Sequence, residues 1–186
     1  MNTGHRRKGA WATETLLNYR NPTETLLKGS LMKDVLRTTG FYFDEVEIGA
    51  SFKTRSRTVT EADLVGFCNL TWMTESLFTD TEHARDGAAT HGQVIPGVMV
   101  YAMAEGLLTH TMEGTGLAFL HADFSVKGPT FVGDTIHVEV EIIEARQTSK
   151  PGRGLVRSRN RVLKADGSEC IIYEPLRMLR MRDARQ

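Results

Sequence analysis

The run Val94-Ile95-Pro96-Gly97-Val98-Met99-Val100-Tyr101-Ala102-Met103-Ala104-Glu105-Gly106-Leu107-Leu108 decides the fold. Pro96 suits the first turn of a helix, where the N–H that proline lacks would have had no intrahelical acceptor. The residues after it are apolar almost all round apart from Glu105, the pattern of a buried helix. Gly97, Ala102, Ala104 and Gly106 make the rod thin, so another element can wrap closely around it, and a curved sheet is the element suited to that. The glycine-rich approach, His91-Gly92-Gln93 and then Pro96-Gly97, leaves backbone N–H groups at the helix N-terminus free to hold an oxyanion or a polarised carbonyl.

Around this helix the chain has 186 residues, enough for one domain with a full core and an extension: 1–40 as an N-terminal extension and 41–186 as the domain. Its 23 basic and 23 acidic residues cancel, so no overall field points to nucleic acid or an anionic membrane, and any anion must be held by a local cluster. The longest apolar run is the helix itself, too short for the roughly 20 residues that span a bilayer. Cys68 and Cys170 sit in apolar contexts without metal-ligand spacing, and Arg6-Arg7-Lys8 has no apolar run behind it. The expectation is a cytoplasmic protein with reduced thiols, no metal and no resident cofactor.

Residues 1–40 contain Thr-Glu-Thr-Leu-Leu twice, at 13–17 and 23–27, each able to form a short amphipathic turn that lies on the domain or on a partner subunit. Phe41 to Ile48 leads to Gly49, and Ser51 to Val59 reads as a strand. Thr60 is an N-cap, with Glu61 and Asp63 placing negative charge in the first turn of a helix whose apolar face is Leu64, Val65, Phe67, Cys68 and Leu70. Residues 72–79 read as a loop, and Asp80 as the cap of a short helix over 81–85. Beyond the central helix, 117–126, 135–146, 154–164 and 168–182 read as strands. Ile136, Val138, Val140 and Ile142 alternate with polar residues, and Asp166-Gly167 makes a hairpin turn. The order predicts an α+β domain, one antiparallel sheet wrapped around one central buried helix.

Over roughly residues 42–182 the chain resembles the MaoC-like (R)-specific enoyl-CoA hydratase/dehydratase family of the hot-dog fold. The resemblance lies in Thr58–Leu64, Thr79–Arg85, Gly92–Gly97 and Pro129–Thr135. It implies a homodimer or higher homo-oligomer whose sheets join, an acyl-CoA or related thioester in a tunnel at the interface, and CoA present as part of the substrate. It also implies that the amide at the start of the buried helix, here Gly97 N–H, polarises the thioester carbonyl. The family pattern of an aspartate followed five positions later by a histidine falls on Met73 and Phe78, neither of which moves a proton. A shifted register puts Glu75 and Asp80 at the same spacing, at the expense of the matches at Asp80, Glu82 and Ala84.

Glu75 is therefore the candidate general base, against the alternative of a solvated loop carboxylate. Asp80 is an N-cap or an acid, and His91 is a structural histidine or a group reaching the helix start. Met73, Phe78 and Pro96 are candidates for the substrate wall. Arg157, Arg159 and Arg161 share one strand face, either solvated or gripping CoA phosphates; Arg177, Arg180 and Arg182 repeat near the C-terminus. Glu105 needs a partner or a polar cavity. The leading expectation is an acyl-thioester hydratase/dehydratase with a non-standard active site. The alternatives are an acyl-CoA thioesterase and a non-catalytic acyl-thioester binding or regulatory subunit.

Overall fold

The computed structural model describes residues 40–82 and 92–182. The expectations for the N-terminal extension, for His83 and for His91 fall outside these residues. A 3-10 turn at Phe43–Glu45 precedes β1 (Ser51–Lys53) and β2 (Arg57–Thr58), then α1 (Glu61–Thr71), α2 (Ser76–Thr79), α3 (Gly97–Leu108) and a second 3-10 turn at Thr109–Thr111. Four long strands complete the domain: β3 (Gly116–Val126), β4 (Thr135–Gln147), β5 (Arg153–Lys164) and β6 (Glu169–Arg180). All pair antiparallel in the order β1-β4-β5-β6-β3, with β2 also on β4. The sheet curves around α3, which gives the expected α+β hot-dog arrangement.

Period-two alternation sets the inner face. Val138 and Val140 of β4, Ser158, Asn160 and Val162 of β5, and Ile171 and Tyr173 of β6 are buried beneath Met99, Val100, Ala104, Leu107 and Leu108 of α3. At the tight turn between β5 and β6, Gly167 takes φ +85°, which a side chain would oppose. Near the other end of β5, Gly154 faces the Phe43 ring so closely that an added Cβ would lie 2.2 Å from Phe43 Cδ2, so only glycine lets the 3-10 turn dock there.

Four readings change. The segment 51–59 is two short strands, because Thr54 leaves the ladder: its N–H donates to Val138 O and its Oγ1 accepts from Val138 N–H. The supposed loop 72–79 contains α2, one helical turn too short to show a period. Asp80 ends that turn, its N–H donating to Ser76 O, while its Oδ1 accepts from Glu82 N–H; the helix expected over 81–85 lies largely outside the described residues. Finally, α3 starts at Gly97 and is open along one side, where Val98, Ala102 and Gly106 are exposed at helical spacing. In α1, likewise, only Leu64 and Cys68 are buried, while Val65 and Leu70 face out.

Thr60 does cap α1: its Oγ1 accepts from Asp63 N–H, and Asp63 Oδ2 accepts from Thr60 N–H. These bonds to Thr60, with Arg57 at 2.5 Å, hold the Asp63 carboxyl below the usual aspartate range.

His137 on β4 is buried, and burial, reinforced by Lys53, pushes its imidazole below the ordinary value of 6.5 against a weaker opposite pull from Glu139. A depressed histidine pKa means that the unfolded chain takes up the proton first, so stability is complete above pH 6.5 and falls as pH drops through the lower folded value. In His137→Gln the urea midpoint should vary less between pH 7.5 and 5 than in the unsubstituted protein, as measured by fluorescence-monitored unfolding.

Candidate functional site

The start of α3 is held by the loop that leads into β4. Ile95 N–H donates to Thr130 O at 2.7 Å, Val132 N–H to Gln93 O at 3.2 Å, and Val94 bridges to Phe131. That loop is itself closed: Asp134 Oδ2 accepts from Phe131 N–H and lies 2.9 Å from Lys164 Nζ, while Val59 and residues 133–134 exchange backbone bonds. Pro96 sits at the N-cap, one residue before the expected first turn, with Met99 and Val100 N–H both directed to its carbonyl. The N–H groups of Gly97 and Val98 have no acceptor within the helix.

Beside Gly97 lies a cleft of about 230 Å³, bounded by Leu77, Phe78, Val94, Ile95, Val100, Val126, Gly128, Thr130 and Ile171. Its side chains are apolar apart from Thr130. An added Cβ on Gly97 would stand 3.0 Å from Val126 Cγ2, so the glycine lets β3 approach the helix start. An apolar cleft beside a helix N-terminus can hold an acyl chain and offer its carbonyl a backbone donor, because a hydrogen bond is stronger where water is excluded.

The candidate residues separate into three groups. Gly97, Phe78 and Pro96 come together: Phe78 is buried in the cleft wall, and Pro96 sets the helix start. Met73, half-buried against the core, follows Trp72, which caps α1 in the left-handed conformation at φ +62°. Glu75 and Asp80 bracket α2 and are exposed, the Asp80 carboxylate being used by Glu82 N–H. Glu75 stands near Cys68, whose thiol is pushed up first by burial and then by that carboxylate.

Arg157 and Arg159 lie elsewhere. They alternate with the inward-facing Ser158 and Asn160, so they occupy the outer face of the sheet, away from the cleft. There Arg157 pairs with Glu144, Arg159 with Glu174, and Arg161 with Glu139 and Glu169. Cross-strand pairing of this kind is what a solvated face provides. Arg177 points inward instead and holds Glu105 through two bonds at 2.5 and 2.6 Å, which answers the need of a carboxylate within an apolar helix. Nearby, Asn160 and Tyr173 are buried opposite one another on β5 and β6, and burial, then the Glu105 charge, raises the Tyr173 hydroxyl well above the tyrosine range.

Two features were not anticipated. One is Gln93, whose Nε2 donates to Phe78 O at 3.0 Å across 15 residues, a link that no local pattern encodes. The other is the role of residues 130–134 as the seat of α3, which the family-like segment Pro129–Thr135 marked without showing what it holds. Among the described residues no group of His, Cys, Asp and Glu could hold a metal ion, and no helix is long and apolar enough to cross a membrane.

No family model matches the chain. A mitochondrial 3-hydroxyacyl-[acyl-carrier-protein] dehydratase from Solanum lycopersicum is 25% identical over 134 residues, 72% of this chain and 78% of its own. Among solved structures, a monoamine oxidase regulatory protein from Archaeoglobus fulgidus is 26% identical with a TM-score of 0.69, covering 77% of this chain and 96% of its own. A MaoC-like dehydratase from Rhodospirillum rubrum is 20% identical with a TM-score of 0.68, covering 77% and 99%.

Proposed function

Because this chain is a MaoC-like hot-dog protein, we propose that the cleft beside Gly97 binds an acyl thioester and that the protein acts on it as a hydratase or dehydratase. The observation that carries this reading is that Gly97, the first residue of α3, lines an otherwise apolar cleft of about 230 Å³. The acyl chain lies against Phe78, Val100 and Ile171, and the thioester oxygen accepts from Gly97 N–H. In the hydration direction water adds through oxygen to the β-carbon and gives up a proton to a base. The electron pair moves to the thioester oxygen, where the amide stabilises the enolate, and the α-carbon then takes a proton. In this reading Glu75, the N-cap residue of α2, is the base, with His91 or Asp80 as proton donor.

CoA is the proposed carrier. The tomato relative is named for an acyl-carrier-protein substrate, and the thioester end that meets Gly97 is the same for both. A homodimer completes the proposal. On β3 Phe119, Phe124 and Val126 are exposed together with Val98 of α3, and an edge strand next to an open helix face suits a second copy. Cys68 and Cys170 are both free and buried, which suits the reducing cytoplasm.

The test is loss of the conjugated thioester absorbance of crotonyl-CoA and longer enoyl-CoAs. Glu75→Gln should lower turnover about 10²-fold, the usual contribution of a positioned base. Unchanged turnover removes Glu75 from the mechanism, and no turnover with any enoyl-CoA removes the hydratase reading. A second reading, an acyl-thioester binding or regulatory subunit, is favoured by the apolar side chains of Met73 and Phe78 and by the exposure of Glu75. It requires calorimetric binding of butyryl-CoA without turnover, and release of free thiol in the same assay identifies a thioesterase.

A further inference from the structure

We propose that Gln93 is a positioning residue that fixes the width of the cleft by clamping α2 to the seat of α3; its bearing on ligand choice rests on the acyl-thioester reading above. Two sets of bonds meet in this residue. Its backbone carbonyl accepts from Val132 N–H at 3.2 Å, and the adjoining Val94 and Ile95 are joined to Phe131 and Thr130, so its main chain is fixed relative to Gly97. Its side-chain Nε2 donates to Phe78 O at 3.0 Å.

Phe78 O needs such a donor. In a helix of four residues every carbonyl of the last turn lacks an intrahelical N–H, and one turn is not stable in water without outside support. The residue held this way lines the cleft together with Gly97. Leu77, the neighbouring wall residue, and Glu75, the N-cap of the same turn, move with it. Gln93 therefore sets the distance between the wall that bounds the acyl chain and the amide that receives the carbonyl, and it does so from outside the reacting atoms.

The experiment compares Gln93→Met, which keeps the length of the side chain and removes the donor, with Gln93→Lys, which keeps a donor. Amide hydrogen exchange is read at Phe78, Thr79 and Asp80, whose N–H groups bond within α2, and at β4 and β5 as the reference. In Gln93→Met the α2 amides should exchange about tenfold faster with the strands unchanged, whereas Gln93→Lys should stay near the unsubstituted protein. Calorimetry with butyryl-CoA and octanoyl-CoA should show the affinity ratio of Gln93→Met moving about fivefold toward the longer chain, because the released wall gives way. Unchanged α2 exchange, a rise shared by the strands, or an equal loss of affinity for both esters would overturn the proposal. If the unsubstituted protein binds neither ester, the acyl-thioester reading fails and the exchange data still decide the clamp.

Discussion

A Met73→Asp, Phe78→His double variant should hydrate crotonyl-CoA at least about 10²-fold faster than the unsubstituted protein, the scale of one well-placed acid–base group. Residues 73 and 78 are where the family resemblance places an aspartate and a histidine. The Phe78 side chain lines the cleft that Gly97 opens onto, and Met73 precedes α2 by three residues. An imidazole replacing the Phe78 ring would stand in an apolar wall, where desolvation favours its neutral form, the form that can take a proton from water. The introduced aspartate would share the task from the other end of the same segment. Phe78→His alone should give a smaller gain, and the absorbance assay with circular dichroism on each variant checks both activity and fold. A folded double variant without turnover would mean that reacting atoms do not sit between residue 78 and Gly97.

Arg177→Met should destabilise the fold by about 3 kcal/mol, since it leaves a largely buried carboxylate without its cation. Glu105 is on α3 and Arg177 on β6, so the pair fastens the helix to the sheet. Around it stand Tyr101 and Tyr173, edge-to-face at 4.9 Å, with Phe119 beneath the guanidinium and Met112 Sδ accepting from Nη1 at 3.2 Å. Burial raises both tyrosine hydroxyls, and the Glu105 charge raises them further. The double variant Glu105→Gln, Arg177→Met should recover more than half of the loss, because the unpaired charge is gone while the apolar stems remain. Urea unfolding of the two single variants and the double variant measures the coupling. A loss below about 1 kcal/mol in Arg177→Met would mean that water, not the arginine, neutralises Glu105.

The strands and the central helix could be read from the chain because each carries a local signal. Alternation of Ile136, Val138, Val140 and Ile142 announces β4, Asp166-Gly167 announces a hairpin, and the apolar run after Pro96 announces α3. What could not be read depends on contacts between distant residues. α2 is a single turn held by Gln93 from 15 residues away, and the gap between β1 and β2 exists because Thr54 bonds Val138 across the sheet. The arginines of β5 were legible as one face, yet their glutamate partners on β4 and β6 depend on strand register alone. The exposed side of α3 has the same origin: Val98, Ala102 and Gly106 carry the pattern of a buried face that the described residues do not cover. Near the cleft, the start of α3 was legible from Pro96-Gly97, while the apolar lining beside it required the position of Phe78.

The central claim, that a thioester carbonyl is received by the amide of Gly97, is tested most directly by the ¹⁵N–¹H correlation spectrum of the protein titrated with butyryl-CoA and, separately, with free CoA. The Gly97 amide proton should move downfield with the ester and stay in place with CoA alone. A Gly97 resonance that ignores the ester, or that responds equally to both ligands, would contradict it.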